Sequence, residues 1–367
     1  MKIKTITCHD VYNHGASLQA FALQTYLESQ GHEVEIIDYK PPYLSSHYRL
    51  WAVSNPVYDK PLVKQAYLLA KLPGRLLSLR RKHAFDRFTR RHLKLTRRYG
   101  SYEELEADPP EADVYIAGSD QIWNTLFPNG RDKAFYLAFA PAGSRKVAYA
   151  ASFATADVAA AHRPFVAQLL KGLDRISLRE RMSLPLAASL GRPDAVAVCD
   201  PVFLLSRRQW ESVIPANDWA GQPYLLVYDT EGSEAIKQIA TATAQREQLL
   251  IFDVSAARHS YADRHFHHAG PSEFVSLISG ASYVISNSFH ATAFALIFEK
   301  QFCVVERSED INERMRSLLN GYGLQARLVK AQMADIPSST IDYESVRTLL
   351  NKDISFSKKY LDALPTL

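Results

Sequence analysis

The sequence predicts an α/β protein made of two sheet-and-helix halves that face a cleft. Three observations predict it. Apolar runs of strand length alternate with helix-period segments along almost the whole chain. The first unit, "IKTITC", "SLQAFALQTYLESQ", "EVEIIDY", is a βαβ pattern and calls for a parallel sheet. The alternation pauses in a Pro- and Trp-containing stretch near 207–222 and then begins again, and 367 residues suffice for two domains.

In the first helix Leu18, Phe21, Ala22 and Leu27 share one face, and Gly31 follows as a stop. "DVYIAG" and "KVAYAASF" read as strands, 157–171 as a helix, "RISL" as a strand, 180–190 as a helix and "AVAVCD" as a strand. The second half runs through the strand "PYLLVYD", a helix over 233–246, "QLLIFDV", a helix over 272–279, "SYVIS", a helix beginning near His290, "FCVVE", and a helix ending near Gly321. The predicted domains are 1–205, with a basic helical insertion at about 61–98, then 206–340, then a helical tail over 341–367.

Within the insertion, "RRKHAFDRFTRRHLKLTRR" holds nine Lys or Arg, with Phe85, Phe88 and Leu95 as an apolar stripe. Two readings stay open for it. One is a solvated helix whose apolar side packs on the first domain. The other is contact by residues 80–98 with an anionic membrane surface or a pyrophosphate-bearing substrate.

Composition narrows the function. The chain is 47% hydrophobic and 22% charged with a net charge of +4, which does not call for a nucleic-acid partner. No run approaches the ~20 apolar residues of a membrane helix, and "MKIKTITCHD" is too short in apolar residues for a signal peptide. A cytoplasmic location is expected, with a peripheral place on the inner membrane face left open by the basic segment. Cys8, Cys199 and Cys303 form no C-x-x-C pair and read as reduced, partly buried thiols. The histidines of "HSYADRHFHH" (259–268) match no standard metal spacing, so no metal is expected.

Ligands of open α/β sheets bind beyond the carboxyl ends of the strands. Four such junctions carry chemistry. In "CHDVYNHGASLQA", Gly15 permits a turn, Ser17 can cap the helix, and the helix start offers N–H groups to an anion. "YIAGSDQIWN" places Ser119, Asp120, Gln121 and Asn124 beside Trp123, the mixture of polar planes and an aromatic face that binds sugars; an Asp cap and a core Trp would look the same. "RISLRER" puts Arg179 at a strand end, where its fork can grip an anion or pair with Glu180. In "ISNSFHATAFALIF" a buried strand passes through Ser286, Asn287 and Ser288 to His290, in the first turn of an apolar helix. A histidine there titrates near neutrality and suits proton transfer.

Together these motifs resemble the polysaccharide pyruvyl transferase family. The resemblance rests on "HDVYNHGASLQAFALQTYLESQGHEVEIIDY", "YIAGSDQIWN" and "ISNSFHATAFALIFEKQF", with "RISLRE" and "CDPVFLL" in support, and spans about residues 3 to 330. Ala291 departs from the glycine many members carry there. The resemblance implies two Rossmann-like domains facing a cleft, as in the GT-B glycosyltransferases. It implies transfer of the pyruvyl group of phosphoenolpyruvate to two hydroxyls of one sugar in a surface polysaccharide precursor, such as an exopolysaccharide or capsule unit. A cyclic ketal forms and phosphate leaves, with phosphoenolpyruvate as co-substrate and no further cofactor.

On this reading His290 is the general acid or a phosphate contact. Arg179 and the helix start at Ser288 and Phe289 hold the donor, with Arg314 as a second anion contact. Asn13, Ser119, Asp120, Gln121, Trp123 and Asn124 meet the acceptor, a lipid-pyrophosphate-linked oligosaccharide or a nucleotide sugar. Two alternatives remain: a GT-B nucleotide-sugar glycosyltransferase, and a non-catalytic scaffold of a polysaccharide-assembly complex.

Overall fold

In the computed structural model the described residues are 1–45, 65, 79–217, 219, 221–308, 312–330 and 339–364. They form two parallel sheets. The first holds β1 (Lys2–Ile6), β2 (Glu33–Tyr39), β3 (Leu95–Tyr99), β4 (Val114–Ala117), β5 (Arg145–Ala151), β6 (Arg175–Leu178) and β7 (Val196–Ala197). The second holds β8 (Tyr224–Tyr228), β9 (Leu250–Asp253), β10 (Arg264–His265), β11 (Tyr283–Ser286), β12 (Gln301–Val305) and β13 (Leu328–Val329).

Their orders are β3-β2-β1-β4-β5-β6-β7 and β10-β9-β8-β11-β12-β13. Each runs outward from a central pair, β1 with β4 and β8 with β11, so each sheet has the doubly wound order with its switch point between that pair. The central strands are buried on both faces, which is why "VYIA", "YLLVY" and "YVIS" read as unbroken apolar or aromatic runs.

The halves share an apolar core. Phe21 of the first helix (His14–Ser29) meets Trp210 at 5.6 Å, and Trp210 meets Phe294 of the helix Phe289–Ile297 at 4.8 Å. The C-terminal helix (Tyr343–Asp362) returns to the first half, where the Tyr360 hydroxyl donates to the Ala148 carbonyl and Cys199 N–H to the Ser357 hydroxyl.

The basic segment differs from its reading. Most of 61–78 lies outside the described residues, 79–92 is helical, and Leu95–Tyr99 form the edge strand β3 instead of continuing the helix. An edge strand keeps few buried side chains, so β3 left no apolar run to read. The helical part is clamped across both halves. Phe88 packs on Phe21, Phe85 on His14, and the Arg81 guanidinium donates to the His267 carbonyl. Arg80, Arg87, Arg90 and Arg91 are exposed on its outer face.

Among the described residues no helix is long and apolar enough to cross a membrane.

Candidate active site

A cavity of about 310 Å³ opens where the two switch points face each other. Asn13, Asp120, Gln121, Phe127 and Asn129 line it from the first half, and Thr230, Ser288, Phe289, His290, Arg307 and Arg314 from the second.

The small polar run before His290 divides its labour. The Ser286 hydroxyl donates to the Tyr228 carbonyl and accepts from Ser288 N–H. Asn287 donates to Asp229 and accepts from the backbone and hydroxyl of Thr230, tying the loop after β8 to the loop after β11. Ser288 occupies the cap position of the helix Phe289–Ile297, but its side chain makes no capping bond. The helix therefore offers uncapped N–H groups and the positive end of its dipole at the cavity wall.

His290 stands in that first turn and is 7% exposed. Its Nε2 faces Asp200 at 3.5 Å, and its Nδ1 edge lies over the backbone of Gly15. A Cβ on Gly15 would fall 1.9 Å from that nitrogen. Gly15 is thus needed for close approach and does not make the turn read from sequence. The cap of its helix is Asn13, whose Oδ1 accepts from Gly15 and Ala16 N–H at 2.9 and 3.3 Å; Ser17 is buried inside the helix.

Asp200 is the hub that sequence reading did not single out. It is fully buried and receives Arg179 Nη1 at 3.0 Å, the Ser119 hydroxyl at 3.2 Å and Val202 N–H at 3.0 Å. Burial pushes its pKa up, but His290 and Arg179 outweigh it and hold the carboxyl well below the usual range. Its position beyond β7 and before Pro201 is the signal that could have found it.

Arg179 sits at the end of β6 with almost no exposure. It donates to Glu180 at 2.9 Å and to Asp200, lies 3.7 Å from Asp120, and carries the Phe289 ring 4.4 Å beneath its guanidinium. Burial opposes its charge, yet the three carboxylates raise its pKa above the ordinary value. Among the described residues its Nη2 finds no hydrogen-bond partner. Arg314 is the reverse case. It is 7% exposed, lines the cavity, and has no ion pair among the described residues; its Nε is buried without a partner. Burial, reinforced by Arg179, lowers its pKa to about 10.

The expected acceptor residues separate into two groups. Asp120 and Gln121 line the cavity, and Asp120 holds the left-handed backbone (φ 77°) that a non-glycine residue adopts only at a cost. Ser119, Trp123 and Asn124 do not line it. Ser119 serves Asp200. Trp123 is fully buried, stacked on Tyr136 at 5.4 Å with its Nε1–H donating to the Phe135 carbonyl. Asn124 accepts from Leu126 N–H and shapes the loop that presents Phe127, which is 47% exposed on the cavity wall.

Two of the four histidines of the 259–268 stretch face Asp253, with His259 and His265 Nδ1 at 3.1 and 3.7 Å from its Oδ2, while His267 and His268 lie against each other. Among the described residues no group of three or more His, Cys, Asp or Glu is arranged to hold a metal ion.

The sequence profile of the polysaccharide pyruvyl transferase family matches residues 13–309, from Asn13 to just past Arg307. The chain belongs to that family. The match takes in Gly15, Asp120, Arg179, Asp200 and His290, while Arg314 lies just beyond it. No curated protein matches the chain in sequence. Among solved structures it is similar to a putative UDP-N-acetylglucosamine 2-epimerase from Listeria monocytogenes (11% identity, 97% of this chain and 90% of that one, TM-score 0.49). It is also similar to a Streptomyces glycosyltransferase complexed with thymidine diphosphate (13%, 100% and 100%, 0.43) and to the E. coli heptosyltransferase WaaC with ADP (10%, 98% and 100%, 0.39).

Proposed function

We propose that this family member transfers the pyruvyl group of phosphoenolpyruvate to two hydroxyls of one sugar in a surface polysaccharide precursor, forming a cyclic ketal and releasing phosphate. The observation that carries the reading is the second-half wall. An uncapped helix start, a histidine backed by a buried carboxylate, and a buried arginine with no ion pair among the described residues meet at one cavity.

Phosphoenolpyruvate supplies the missing negative charge twice, as carboxylate and as phosphate. Arg314 and the N–H groups of Phe289 and His290 take these anions. His290, with Asp200 beside it, gives a proton to the methylene carbon of the donor. The adjacent carbon becomes oxocarbenium-like, and a sugar hydroxyl attacks it and loses its proton. Phosphate departs with the electrons of the C–O bond, and the second hydroxyl closes the ring, releasing another proton. Asp120, Gln121 and the carboxamide of Asn13 face the acceptor, with Phe127 in the stacking role expected of Trp123.

Calorimetric titration with phosphoenolpyruvate and, separately, with nucleotide diphosphate sugars tests this. The expected result is binding of phosphoenolpyruvate, weakened by Arg314→Met. Binding of a nucleotide sugar alone would replace the reading with a glycosyltransferase.

The outer arginines of the 79–92 helix support an anionic membrane surface as a further partner, which suits a lipid-pyrophosphate-linked acceptor. Each basic residue near such a surface contributes ~1 kcal/mol. Vesicles rich in phosphatidylglycerol are expected to retain the protein at low salt and release it at high salt. Retention that ignores salt would remove this partner.

A further inference from the structure

His14 is a buried titratable group that the reaction above leaves unused. His14 opens the first helix of the first half, yet most of its ring contacts belong to the second half. It is fully buried and stacked on Phe274, with centroids 4.4 Å apart and planes within 7°. Its Nε2 lies 3.0 Å from the Ala269 carbonyl and its Nδ1 3.5 Å from the Tyr228 hydroxyl. Burial, with the Arg81 charge adding to it, pushes its pKa well below the ordinary histidine value. The ring is therefore neutral, so Nε2–H donates to Ala269 and Nδ1 accepts from Tyr228.

The next residue in the chain is the one His290 rests on. Gly15 has no room for a Cβ, because the His290 ring occupies that space. A side chain gripped by the second half is therefore followed at once by the backbone that seats the second half's candidate proton donor. The apolar chain Phe21–Trp210–Phe294 already joins the halves, so docking does not depend on His14. What His14 adds is direction, through one fixed tautomer and one fixed ring plane.

We infer that His14 is a positioning residue for His290: it keys the start of the first helix into the second half and so sets the Gly15 surface against which the His290 ring is held. The inference rests on the reading of His290 as proton donor, but its test does not.

The full chain, labelled with carbon-13 at histidine Cε1, lets the His290 resonance be followed through a pH titration and assigned by its loss in His290→Gln. His14→Ala removes the stack and both hydrogen bonds. His14→Gln keeps a donor for the Ala269 carbonyl. With an unchanged circular dichroism spectrum, His14→Ala is expected to move the His290 midpoint by about 0.5 in pH or to split its resonance. Phosphoenolpyruvate affinity is expected to fall roughly tenfold, and His14→Gln should restore part of both losses. A His290 titration in folded His14→Ala that superimposes on the wild type would overturn the inference.

If His14→Ala does not fold, Phe274→Leu removes the stacking face from the opposite side and is read in the same way. Wild-type protein that binds no phosphoenolpyruvate would end the proposed function, and the titration would still decide the role of His14.

Discussion

The two sides of the cleft each bury an arginine, and they satisfy it differently. On the first-half side Arg179 is surrounded by Glu180, Asp200 and Asp120, and its charge is neutralised from within the fold. On the second-half side Arg314 is equally withdrawn from water but has no carboxylate of its own among the described residues. Burying a cation costs several kcal/mol unless something compensates it. Compensation inside the chain marks a scaffold. A missing partner marks a place where the partner arrives with the ligand. The strand-end rule pointed to Arg179 as the chief anion contact, and on this comparison Arg314 is the better candidate.

The contrast can be broken most directly by stability. Arg179→Met leaves three carboxylates around a vanished cation, two of them almost wholly buried. Removing one partner of such a cluster costs about 3–5 kcal/mol, which urea denaturation would register as a large fall in midpoint. Arg314→Met should instead leave the free protein as stable as before, or more so, because it removes a buried charge that has no ion pair among the described residues. Its cost falls on the ligand. Losing charged hydrogen bonds of about 1.5–3 kcal/mol corresponds to a roughly 10- to 100-fold weaker affinity for phosphoenolpyruvate by calorimetry. Equal destabilisation by both substitutions would erase the distinction.

The same contrast shows what sequence can carry. The alternation of apolar runs and helical segments was legible because central parallel strands are buried on both faces and must be apolar throughout. The strands β3, β10 and β13 were not, because each is short or at an edge and its pairing is fixed by distant neighbours. At the site, strand-end position led to Asp120, Arg179, Ser288 and His290, all of which stand at or directly behind the cavity. It could not reveal that Arg179 is already neutralised by Asp200, 21 residues away. Nor could it reveal that Gly15 serves His290, since that contact joins residues far apart in the chain. Trp123 shows the limit most clearly. A large aromatic in a polar loop reads equally well as a sugar platform or as core. The choice is made by Tyr136 and Phe135, whose packing the local pattern does not announce.

The rim of the cleft sharpens the comparison with its smallest expected effect. Phe127 is the apolar counterpart of Arg314, a group left exposed where the fold could have covered it. It lines the cavity at 47% exposure, beside Leu126 at 66%. Its loop is held stiffly, since Asn124 Oδ1 accepts from Leu126 N–H and the Asn129 amide donates to the Gln121 carbonyl at 2.6 Å. A rigid, exposed ring next to Gln121 and Asp120 presents a flat apolar face among hydrogen-bonding groups, the pairing that a sugar ring satisfies. Ring-face contacts of this kind are worth about 0.5–1.5 kcal/mol beyond simple burial. Phe127→Ala should therefore raise the KM for the acceptor roughly three- to tenfold in a phosphate-release assay, while calorimetric affinity for phosphoenolpyruvate stays unchanged. Trp123→Phe should show the opposite pattern, a loss of stability with acceptor KM preserved, because its indole N–H serves the core. A fall in phosphoenolpyruvate affinity on removing Phe127 would move this ring from the acceptor side to the donor side.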